Sequence, residues 1–150
     1  MAEPKKLTQE EADRLIDMLK TSLVETIDFP EKGKFVEFDL AGRDIKKDIF
    51  TAKIYRGKIN RYKYDIGARI KKDGILLLEL HIGDGLVHMN PDGVKLTGSH
   101  WHIYTEEYDR RMAVPADDVN SSEFIENTVL LLKRFHVIEE PTIHFQLELV

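Results

Sequence analysis

Between residues 62 and 82, apolar and polar side chains alternate with period two on either side of a single tight turn. Tyr62, Tyr64, Ile66, Ala68 and Ile70 fall on one face, and Arg61, Lys63, Asp65 and Arg69 on the other. Lys72-Asp73-Gly74 reverses the chain. Leu76, Leu78, Leu80 and Ile82 then alternate with Leu77, Glu79 and His81. This period fits strands, because successive strand side chains point to opposite faces. So short a connection permits only antiparallel pairing. Upstream, Val36, Phe38 and Leu40 alternate with Glu37 and Asp39, Ala41-Gly42-Arg43-Asp44 turns the chain, and 45–55 forms a second strand. Arg56-Gly57 leads into the third. The centre of the fold is therefore expected to be an antiparallel meander.

Helical periodicity flanks it. Thr8 and Glu11 have the spacing of a capping box, and Ala12, Leu15, Ile16, Leu19 and Leu23 follow at helical spacing, which predicts a helix over 8–26. Asn120 with Glu123 marks a second helix start. Phe124, Ile125, Thr128, Leu131, Leu132 and Phe135 form its apolar stripe, with Lys133, Arg134 and His136 at the dipole's negative end. Ile143, Phe145, Leu147 and Leu149 alternate with His144, Gln146 and Glu148 as a terminal strand. The expectation is one α+β domain over 1–150. It comprises an N-terminal helix, an antiparallel meander of about five or six strands, a second long helix and a C-terminal strand, with residues 1–6 frayed.

Composition removes several function classes. The chain has no cysteine, which excludes disulfides, thiolate metal sites and cysteine nucleophiles. A net charge of −5 argues against a protein that coats DNA or membranes. Neither an apolar leader nor an 18-residue apolar window is present, so a cytoplasmic protein without a membrane partner is expected. No Walker A, Rossmann, G-x-S-x-G or H-E-x-x-H motif occurs.

The chemistry concentrates in 81–104, HIGDGLVHMNPDGVKLTGSHWHIY, which holds four of the six histidines and the single tryptophan. Asn90-Pro91-Asp92-Gly93 is a tight-turn signature, Val94 to Leu96 reads as a short strand and His100 to Thr105 as another, followed by a charged loop over 106–117. If Trp101 and Ile103 face the core, then His100, His102 and Tyr104 face outward together on an exposed sheet face, beside Glu79 and His81, with His88 near the turn.

Three readings follow. In the first, the protein is a metal-independent endoribonuclease with no cofactor. His100 and His102, with His88 or His81, act as acid and base on RNA, Tyr104 positions the phosphate, and Arg61, Lys63, Arg69, Arg110 or Arg111 bind it. In the second, His100-x-His102 and Glu106 hold a divalent transition metal, with His81 or His88 as a third imidazole. The spacing H-x-H-x(3)-E resembles the first cupin motif, without its closing glycine. In the third, the histidines and the turn only satisfy loop backbone, and the protein is a non-catalytic regulator that binds another protein.

His88, Asn90, Pro91, Asp92, Gly93, Gly98, His100, His102, Ile103 and Tyr104 give the motif H-x-NPDG…G-x-H-x-H-I-Y. With the flanking helix–meander–helix layout, the chain resembles an uncharacterised domain family of bacteria and their phages, which has no established activity to transfer. His100 and His102 after a meander also resemble the H-x-H of TumE-type toxin ribonucleases. That likeness implies an RNA substrate and a cognate antitoxin or other protein partner.

Overall fold

The computed structural model describes residues 6–145. Most of the expected frayed lead-in lies outside them, as do Gln146, Leu147, Glu148 and Leu149 of the expected terminal strand. In chain order the elements are α1 (Gln9–Asp17), β1 (Lys20–Ser22), β2 (Thr26–Asp28), β3 (Phe35–Gly42), β4 (Ile49–Arg56), β5 (Tyr64–Ile70), β6 (Leu76–Ile82), β7 (Val87–Met89), β8 (Lys95–Thr97), β9 (His100–Ile103), β10 (Ala113–Pro115), α2 (Phe124–Arg134), β11 (Val137–Glu139) and β12 (Thr142–His144).

The expected meander is present as β3-β4-β5-β6, each strand antiparallel to the next. It extends into an eight-stranded sheet in the order β10-β9-β6-β5-β4-β3-β1-β11. Only the β1–β11 pair in that sheet is parallel. β7 and β8 form a separate hairpin between β6 and β9, and β2 pairs in parallel with β12. Leu40, Phe50, Ile54, Ile66, Leu80 and Trp101 line one sheet face and pack with Leu15, Phe124, Leu131 and Phe135 of the helical segments. The α+β expectation holds, with more strands than the five or six read from the sequence. No helix among the described residues is long and apolar enough to cross a membrane.

Four local expectations are corrected. The first helix ends at Asp17, not at 26. Met18 is extended (φ −56°, ψ 135°), and Lys20 enters the sheet between β3 and β11. Leu23, expected on the apolar stripe, is exposed. The region 106–117, expected to be loop, contributes β10. Asn120 does not cap α2: its side chain accepts from Ser122 in a local turn, and the N-cap Glu123 makes no side-chain capping bond.

The fourth correction concerns β6. The β5–β6 register slips by one residue, from Ala68↔Leu78 to Arg69↔Leu76, leaving Leu77 out of the pairing. Such a bulge reverses side-chain parity. Leu77 is consequently buried in the core rather than sharing the face of Glu79. Leu76 moves toward Gly67 on the opposite face, where its Cδ1 lies 3.3 Å from the position of a Cβ on Gly67.

Candidate metal centre

Strand register builds the site in two rows across the sheet. One row runs Lys53–Gly67–Glu79–His102–Ala113, and the next Tyr55–Asp65–His81–His100–Pro115. Both lie on the face turned away from the helices. Gly67 matters to the first row. A Cβ there would sit 3.1 Å from Glu79 Oε2 and 3.3 Å from its Cγ, so the missing side chain gives the Glu79 carboxylate room to lie over β5.

His88 of β7 joins from above. Ring centroids are 4.7 Å apart for His81–His102, 5.1 Å for His81–His100 and 5.0 Å for His100–His102. His88 is 4.8 Å from His102 and 5.3 Å from His100. All four predicted histidines thus come together, and the alternation that put His100 and His102 on one side was correct. The face is not open, however. His100 and His102 are 3% and 7% exposed, which corrects the expectation of a solvent-facing sheet surface.

Hydrogen bonds fix where the lone pairs point. His100 Nδ1 donates to the Gly98 carbonyl at 2.9 Å, and His102 Nδ1 to the Arg110 carbonyl at 2.6 Å. A carbonyl only accepts, so each Nδ1 carries the proton and, in the neutral ring, each Nε2 carries a lone pair. His81 is held differently. Its Nε2 bonds Glu79 Oε1, and its Nδ1 is 3.8 Å from Asp65. One ligating nitrogen from each of His81, His100 and His102 lies within 4.8 Å of the others.

The charges are unevenly divided. Burial lowers His102 to about 4, helped by the charge of His81 and opposed by the Arg110 carbonyl. Burial also lowers His100. It would lower His81 too, but the hydrogen bond and charge of Glu79, with Asp65, outweigh it and raise that ring. Burial raises Asp65, with His81 opposing. Glu79 stays low because His81 and Arg110 overcome its burial. Two full charges about 5 Å apart repel by about 3 kcal/mol at an effective dielectric of 20, so a charge on His81 disfavours one on His100 and His102.

Acid should therefore weaken the metal-free fold. A depressed histidine binds fewer protons folded than unfolded, so its contribution is lost as pH falls from 6.5 toward about 4. For His102 that is roughly 3 kcal/mol, partly offset by His81, whose raised value acts in the opposite direction. Urea unfolding across this window should show a steeper acid loss for wild type than for His102→Gln.

The turn performs its expected role and one more. Gly93 has φ +89°, and its amide donates to the Asn90 carbonyl, while Asp92 accepts from Val94. Asn90 itself is buried: its amide donates to the Ala113 carbonyl at 2.9 Å and its Oδ1 accepts from the Ala113 N–H at 2.8 Å. The side chain acts as a strand mimic that fastens the β7–β8 hairpin to β10. Asn90→Ala should cost about 2 kcal/mol and speed amide exchange in 87–97.

Several predicted residues fall elsewhere. Tyr104 follows the end of β9 and turns into the core, where its hydroxyl accepts from the Leu7 N–H and donates to the Leu7 carbonyl. It does not face the histidines. Glu106, the predicted carboxylate ligand, sits in the following turn, where its amide donates to Gln9 Oε1, and it is not in the convergent group. Arg69 pairs with Glu37 at 3.1 Å. Arg61 lies in the connection before β5, its guanidinium 5.2 Å from the Tyr62 ring. Lys63 reaches the site only through its charge on Asp65. Arg110 approaches Glu79 at 3.9 Å. Arg111 contributes its carbonyl, which accepts from His88 Nε2 at 2.9 Å. Alternation had placed Glu79 beside His81, but Asp65 and Gly67 were absent from the predicted set. Only the register of β5 on β6 brings these two to the histidines, and the bulge conceals that register.

Residues 7–137 match the model of a family described as "Family of unknown function (DUF6978)". No curated protein and no solved structure matches the chain.

Proposed function

The chain belongs to that family of unknown function, which brings no activity with it, and we propose from the site alone that the protein binds a divalent transition-metal ion through His81, His100 and His102. The observation that carries this is the pair of Nδ1–H bonds to the Gly98 and Arg110 carbonyls. They commit the Nε2 lone pairs of two buried rings to a space shared with a third imidazole. Backbone or carboxylate acceptors behind the ligating rings are the usual outer shell of a metal-bound histidine. Glu79 plays that part behind His81. An all-imidazole donor set suits zinc, copper, nickel or iron rather than magnesium or calcium. This is the metal reading of the sequence with His81 as the third imidazole and without Glu106.

Metal-free RNA cleavage is the second reading, favoured by the split between His81 and His102. The low ring, His102, would take the proton of a 2′-hydroxyl as its oxygen attacks phosphorus. The raised ring, His81, would give a proton to the departing 5′-oxygen. Its partners would be RNA and a cognate antitoxin or other protein. Burial of His100 and His102, and the carboxylates of Glu79 and Asp65 beside them, favour a small cation over a polyanion.

Two assays on EDTA-stripped protein separate these. Zinc at about a hundred times its dissociation constant should add about 2.7 kcal/mol of stability, a rise in melting temperature of roughly 5–10 °C. RNA should stay intact. No zinc-induced shift, with RNA cleaved in EDTA by wild type but not by His81→Ala or His102→Ala, would replace the metal reading with the nuclease.

A further inference from the structure

Resting on the metal reading, we infer that His88 is a fourth, exchangeable ligand, and that the β7–β8 hairpin is a clamp held shut by the ion. Three protein ligands leave a tetrahedral site incomplete. His88 is the remaining imidazole at the cluster, 4.8 Å from His102 and 5.3 Å from His100 by ring centroid. Its Nε2 donates to the Arg111 carbonyl. With that proton on Nε2, the coordinating lone pair sits on Nδ1. The Arg111 carbonyl stands behind His88 as the Arg110 carbonyl stands behind His102, so one loop supplies the outer shell of two rings.

The hairpin is the mobile partner in this arrangement. The other three histidines sit on central strands of the large sheet, whereas β7 pairs only with β8. It is fastened to β10 at its turn by Asn90 on Ala113, and its two arms are closed on each other at the base by the Gly98 N–H on the Leu86 carbonyl at 2.7 Å. His88 lies between the turn and that base. Nitrogens around a tetrahedral zinc are about 3.3 Å apart. Coordination therefore draws the rings inward from their present spacing, and the hairpin follows His88. A small anion or water competes for the position His88 vacates, and its entry releases the hairpin.

Cobalt(II) tests this on the full-length protein, wild type against His88→Ala. The half-exposed His88 can be replaced without opening the core, and circular dichroism checks the fold. Wild type should give the intense visible bands of tetrahedral cobalt and respond to azide only at a far higher concentration than the variant needs. The variant should bind cobalt about tenfold more weakly, change its spectrum when azide enters the open position, and lose the zinc-dependent slowing of amide exchange in 87–97. Equal affinity, spectra and azide response in the two proteins would remove His88 from the coordination sphere while leaving the three-histidine site standing. Failure of wild type to bind cobalt at all would overturn both inferences.

Discussion

His102→Ala and His100→Ala are each expected to weaken binding of a divalent transition ion by more than about a hundredfold, while His136→Ala changes it little. Altering only an outer-shell partner of a metal ligand already costs about 10–100-fold. Removing the ligand itself takes a whole imidazole from the sphere and opens a position on the ion. His136 is the internal control: its Nδ1 donates to the Ile16 carbonyl beside α1, away from the cluster. Competition with a chromophoric chelator reads all three variants. Equal losses at His100, His102 and His136 would indicate general damage rather than a site. Undiminished affinity in either of the first two would place the ion elsewhere.

The largest stability effect is expected at Lys20 of β1, toward the opposite edge of the large sheet from the histidine cluster. Its side chain is fully buried, and its ammonium donates to the carbonyls of Ile16 at 2.9 Å, Met18 at 2.8 Å and Phe135 at 2.8 Å. It also lies 3.6 Å from the centroid of the Phe135 ring. These carbonyls close the C-terminal ends of both helices, so one cation ties α1 to α2 across the sheet. Lys20→Ala takes the ammonium from the Met18 and Phe135 carbonyls, leaves the Ile16 carbonyl to His136, and opens a cavity, and should cost about 3–5 kcal/mol in urea unfolding. Lys20→Met fills the space and removes the buried charge, and should cost less. Burial lowers the ammonium from 10.5 to about 7, with Asp17 opposing. The unfolded chain therefore holds more protons between those values, and stability should rise with pH across that window by at most about 5 kcal/mol. The full cost of the buried charge is present below about pH 7. In Lys20→Met the rise should disappear.

Lys20 also shows where sequence reasoning fails. Ile16, Leu19 and Leu23 continue a helical stripe, yet the chain leaves the helix after Asp17. A buried lysine serving two helix ends is a tertiary fact, and no local pattern announces it. The meander was legible because its strands are successive and its turns short. β11 against β1 was not, since a parallel edge pair closed by more than a hundred residues leaves no periodic trace. The cluster was half legible. Alternation placed His100 with His102 and Glu79 with His81, and that parity survives in the structure. Tyr104 broke it because β9 ends at Ile103, and Leu77 broke it at a bulge. Burial of the cluster was illegible because it depends on a hairpin folding back through Asn90, whose side-chain bonds to Ala113 span 23 residues.

Calorimetric titration of zinc into EDTA-stripped, full-length protein near neutral pH tests the central claim most directly. One ion per chain with a dissociation constant at or below about 1 µM, abolished when His81, His100 and His102 are replaced together, is the predicted result. Absence of binding by wild type at that concentration, or binding that survives the triple replacement, would contradict it.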